Sequence, residues 1–81
     1  MNMIIMNIIN MKSFLETVNA CTGSVYMVSQ DGKKTDINKK YGIQKLLLSE
    51  HEKNKRYTTI CLDIPVPRDY IDVVNYYSGD C

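Results

Sequence analysis

Few side chains in this chain of 81 residues have the types and spacing that chemistry requires. There is one histidine, His51, which could act as a nucleophile or a proton shuttle if a base or an anion-binding group stood beside it. Asp69 and Asp72 lie three apart, a spacing that puts two carboxylates on one helical face, as general acid/base pairs or metal ligands require. The plainer reading of both carboxylates is a helix start stabilised by the helix dipole. Three cysteines, Cys21, Cys61 and Cys81, are an odd number without a CxxC pair, which points to reduced thiols rather than zinc or a redox motif. Cys81 is expected to be exposed. There is no Ser-His-Asp arrangement, glycine-rich phosphate loop or metal-ligand cluster, so the expectation is a protein that is not an enzyme and holds no cofactor or metal.

Charge is the stronger signal. The formal net charge is +1, but residues 31–56 carry eight basic and four acidic side chains, while the segment from Tyr57 onward has a net charge of −3. One face could therefore meet an acidic partner, although a solvated polar surface explains the same pattern. Lysines interleaved with Tyr41 and Tyr57 also suit a small nucleic-acid binder, since lysines neutralise phosphates and rings stack on bases. The low net charge and the lack of an aromatic pattern on a strand speak against that alternative.

The elements that must position these groups fit one domain spanning residues 1–81, of hydrophobic content 44% and charged content 23%. The opening stretch MNMIIMNII is about half of the ~20 residues a membrane span needs and lacks the flanks of a signal peptide. It reads as a strand from Met3 to Ile9, and the expected location is cytoplasmic. Met11, Phe14, Leu15, Val18 and Cys21 form an amphipathic stripe, with either Asn10 or a Ser13–Glu16 capping box at its start and Thr22-Gly23 at its end. A strand over Ser24 to Gln30 should return through a two-residue Asp31-Gly32 turn as Lys33 to Asn38, with positive φ at both turn residues. Ile43, Leu46 and Leu47 begin the inward stripe of a second helix, Tyr41 to Glu52, whose end carries His51 as a surface residue. Tyr57 to Ile64 reads as a strand with Thr58, Ile60, Leu62 and Ile64 inward, ended by Pro65 and Pro67. A last helix capped by Asp69 should bury Tyr70, Ile71, Val74 and Tyr77 and close at Gly79.

The order βαββαβα predicts an α+β fold, an open-faced two-layer sandwich whose four-stranded antiparallel sheet has helices on one face. The open face and apolar first strand leave room for a homodimer.

This order resembles HPr, the histidine-containing phosphocarrier protein of the bacterial sugar phosphotransferase system. The resemblance rests most specifically on Asp31 to Leu48. Gly32 and Gly42 keep the separation usual in the family between the hairpin glycine and the glycine of the second helix. Ile43 and Leu46 sit where the family's helix points into the core. The family's phosphorylated histidine lies between the first strand and first helix, with an arginine nearby. Here Asn7, Ile8, Ile9 and Asn10 occupy that junction, and Met1 to Lys12 contain neither His nor Arg. The family's regulatory serine falls on Lys39, and its apolar docking positions fall on Lys40, Tyr41 and Gln44. The resemblance thus implies an HPr-like protein that is not a phosphocarrier and acts as a regulatory or protein-binding module. Its expected partner surface is Lys39, Lys40, Tyr41, Gln44 and Lys45.

Overall fold

In the computed structural model, which describes residues 3–80 and the side chains up to Tyr77, alternation decides the central strands. Strand β1, Met3–Ile8, pairs antiparallel with β4, Thr58–Asp63. Met6 and Ile8 of β1 and Ile60 and Leu62 of β4 point inward and are buried, followed by Ile64 just beyond the strand. The intervening residues Met3, Ile5 and Thr59 face outward. Strand β2, Tyr26–Val28, continues the sheet beside β4, and β3, Lys34–Asp36, completes it. The strand order is β1-β4-β2-β3, all antiparallel, so β1 and β3 are the edges. With helices α1, Met11–Asn19, α2, Tyr41–Lys53, and α3, Pro67–Asp80, the chain has the expected α+β order βαββαβα.

The hairpin differs from the expected two-residue turn. The amide of Gly32 donates to the carbonyl of Ser29, and Ser29 donates to Lys33, so three residues, Gln30, Asp31 and Gly32, form the loop. Of these three residues Gly32 alone has positive φ, at 85°. Asp31 instead accepts from the Ser29 hydroxyl and the Lys33 amide, which stabilises a turn closed by a left-handed glycine.

Asn10 caps α1, its side-chain oxygen accepting from the Ser13 amide at 3.0 Å, and Phe14, Leu15 and Val18 fill the core beneath. The helix ends at Asn19, before Thr22-Gly23. Gly23 is needed for space: a Cβ there would lie 2.5 Å from Cγ2 of Val66.

The inward faces of α2 and α3 are rotated from those expected. In α2 the buried side chains are Gln44 and His51, with Ile43 and Leu47 half-buried, while Leu46 is 67% exposed. Leu46 follows Gln44 by two residues, which is roughly 200° around a helix. The polar side chains can occupy the interior because each has hydrogen-bond partners there. In α3, Val73 is fully buried and Ile71 is 54% exposed, with Tyr70, Tyr76 and Tyr77 packed against the core. That helix runs through Gly79 to Asp80. Among the described residues no helix is long and apolar enough to cross a membrane.

Candidate docking surface between the first and second helices

The junction of β1 and α1 faces the last turns of α2 across an open groove of about 500 Å³. Ile9, Asn10, Met11 and Lys12 form one wall, and Leu48, His51, Glu52 and Arg56 form the other. Tyr41, Lys45, Leu48 and Glu52 are spaced i, i+4, i+7 and i+11, so they share the face of α2 that runs into this groove. Tyr41 is 66% exposed, and Leu48 and Ile9 are exposed as well. Apolar side chains of this size held in water are the raw material of an interface core.

The groove has a positive rim. The N-terminus of α1 adds the partial charge of its first amides, Asn10 having taken up the Ser13 N–H. Lys12 carries a full charge beside it. Arg56 reaches the groove through two consecutive left-handed residues, Lys55 (φ 59°) and Arg56 (φ 61°), with its amide donating to the His51 carbonyl at 2.8 Å. Its guanidinium pairs with Glu52 at 3.1 Å.

His51 is not the surface residue the sequence suggested. It is 4% exposed and packs under the groove floor. Nε2 lies 2.9 Å from the carbonyl of Ile9, which can only accept, so Nε2 carries the proton. Nδ1, 2.7 Å from the Thr58 hydroxyl, then accepts from it in the neutral ring. The ring is a brace joining α2 to the β1–α1 junction and to the start of β4. Its spacing from Gln44 and Leu47, seven and four residues, was the signal that it belonged to the inward stripe.

Of the five expected surface residues, Gln44 is displaced. It is 5% exposed, donates to the Ile37 carbonyl and to Asn19 Oδ1 at 2.7 Å each, and accepts from Asn19 Nδ2 at 3.1 Å. No partner can grip it. Asn19 Oδ1 also accepts the amide of Lys39, whose φ is 58°, and the Lys39 ammonium lies 3.4 Å from the Cys21 carbonyl. Lys39, Lys40, Tyr41 and Lys45 are exposed.

The other reactive types are engaged elsewhere. Asp69 is 1% exposed, and it caps the α1–β2 loop rather than its own helix. Its carboxylate accepts from the amides of Thr22 (3.0 Å) and Gly23 (2.8 Å) and from the Thr22 hydroxyl. Burial alone would raise its pKa, but these bonds outweigh it and hold the carboxyl below the usual range. Asp72 is exposed and turned to Arg68, so the two carboxylates share no site. Burial, with Asp69 and Asp72 nearby, pushes the Cys21 thiol up to about 11, which keeps it protonated and unreactive. Cys61 is half-buried, and Cys81 lies outside the described residues. Among the described residues no group of three His, Cys, Asp or Glu side chains could hold a metal ion.

The lysines and rings that suit nucleic acid come from several elements. Lys34 lies in β3, paired with Asp63 at 2.6 Å. Tyr41 opens α2 and Tyr57 lies just before β4. No family model, curated protein or solved structure matches the chain.

Proposed function

We propose that this chain is an HPr-like regulatory module that carries no phosphoryl group and works by binding a protein. The partner docks on the α2 face that runs from Tyr41 through Lys45 and Leu48 to the groove at Ile9 and Lys12. The observation that carries this reading is the line of exposed apolar side chains, Tyr41, Leu48 and Ile9, bordered by Lys12 and Lys45. A large ring and two aliphatic anchors supply the desolvated centre of a small interface, and the cations select an acidic partner surface.

The loss of carrier chemistry follows from what stands at the β1–α1 junction. A phosphocarrier there needs an imidazole nitrogen open to the donor, and the junction offers Ile9 and Asn10. His51 is close by, but both its nitrogens are engaged in the interior. The test is incubation with enzyme I of the phosphotransferase system and labelled phosphoenolpyruvate, alongside His51→Gln. The reading expects no label on the wild-type chain. Acid-labile label that disappears in His51→Gln would overturn the non-carrier part of it.

A further inference from the structure

The two edges of the sheet are guarded differently. Edge strand β3 is three residues long and presents Lys34 and Asp36, with Lys33 just before it, which is how natural edges avoid pairing. Edge strand β1 is six residues, MIIMNI, without a charge or a proline.

The ladder fixes which backbone groups of β1 face outward. Ser29 donates to Lys33 and Ile37 donates to Val25, so odd-numbered residues of β2 bond to β3 and Tyr26 turns to Asp63 of β4. By alternation Ile4, Met6 and Ile8 exchange bonds with β4, and Met3, Ile5 and Asn7 turn their N–H and C=O to the open edge. The Asn7 amide confirms the parity, donating at 3.4 Å to the Tyr77 hydroxyl of α3 rather than to β4. Among the described residues Tyr77 bonds this edge at Asn7, and Met3 to Ile5 precede that point in the strand. Ile5 is 67% exposed and Met3 is exposed beside it.

We infer that a second copy of this chain pairs with this edge, β1 against β1 and antiparallel, about a two-fold axis at Ile4. Met3 of one protomer then exchanges two backbone bonds with Ile5 of its partner, and the symmetry repeats the pair. The bonds of this ladder use Met3 and Ile5 and do not draw on the Asn7 amide, which donates to Tyr77. It joins the two four-stranded sheets into one and covers Met3 and Ile5 of both protomers. A second copy is the occupant the edge fits, because an uncharged strand is complementary to itself while the other edge repels pairing.

The test is sedimentation velocity from micromolar to millimolar protein, with amide exchange followed by NMR. The wild type is expected to dimerise, and the Ile5 amide to become at least about tenfold more protected at high concentration while Ile4 changes little. Ile5→Lys should remain folded by circular dichroism and stay monomeric. Leu46→Lys, equally exposed but on α2, should dimerise as before. A wild type that stays monomeric at millimolar concentration, with Ile5 exchanging freely, overturns the inference and leaves the edge to a foreign strand. Dimers that survive Ile5→Lys, or that dissociate in Leu46→Lys, overturn it equally.

Discussion

At its C-terminal end α1 is tied down by a cluster of hydrogen-bonded polar groups. Asn19 joins Gln44 and the Lys39 amide, Asn38 donates to the carbonyls of Cys21 and Gly23, and Asp69 closes over Thr22 and Gly23. At its N-terminal end the same helix opens on a groove where Ile9 and Leu48 stand in water beside Lys12. Buried polar groups with full hydrogen bonding specify a structure, and exposed apolar ones cost stability unless something covers them. The contrast separates the end that holds the fold from the end available for recognition.

The largest effect should come from the closed end. Asp69→Ala removes a buried carboxylate that accepts from two part-buried amides and the Thr22 hydroxyl, and urea unfolding should show a loss of about 2–4 kcal/mol. Gly23→Ala drives a methyl into Val66 and should cost about 1–3 kcal/mol in the same measurement.

Acid should act at this end as well. Burial raises the pKa of Asp36 too, but the amides of Asn38 and Val25 and nearby Lys40 more than offset it. With Asp36 and Asp69 both lowered on folding, the unfolded chain binds more protons in acid. Their contribution is complete above the unfolded carboxylate pKa of about 4 and is lost as pH falls through the lower folded values. Chemical unfolding from neutral to acid pH should show this slope, and Asp69→Asn should flatten it.

Much of the fold was legible in the sequence because period decides strands and stripes. Ile60, Leu62 and Ile64 alternate into the core, and Phe14, Leu15 and Val18 repeat at helical spacing. What misled was residue type. Leu46 and Ile71 look like core residues, yet Gln44, His51 and Asp69 are buried in the helices that carry them, because each closes specific bonds. Those partners come from segments distant in the chain, such as Ile9 for His51 and Thr22 for Asp69, so no local pattern announces them. The candidate surface was half legible. Lys40, Tyr41 and Lys45 are exposed as expected, whereas the contribution of Ile9, Lys12 and Leu48 requires α1 and α2 to be side by side.

Smaller effects mark the boundary between the two ends. Lys55 holds a left-handed conformation that favours glycine, so Lys55→Gly should raise stability by about 0.5–1 kcal/mol, read from the midpoint of urea unfolding. On the exposed face of α2, Tyr41→Ala and Leu48→Ala should change stability by less than about 0.5 kcal/mol, since neither side chain is in the core.

The most direct measurement uses that insensitivity. Wild type, the double variant Tyr41→Ala/Leu48→Ala and the control Leu46→Ala are immobilised and used to capture proteins from the native host, then compared by quantitative mass spectrometry. The account predicts a partner retained by wild type and Leu46→Ala and depleted at least about tenfold by the double variant, with all three chains folded. A partner held equally by all three, or lost only with Leu46→Ala, would contradict the placement of the binding face along α2 from Tyr41 to the groove at Leu48.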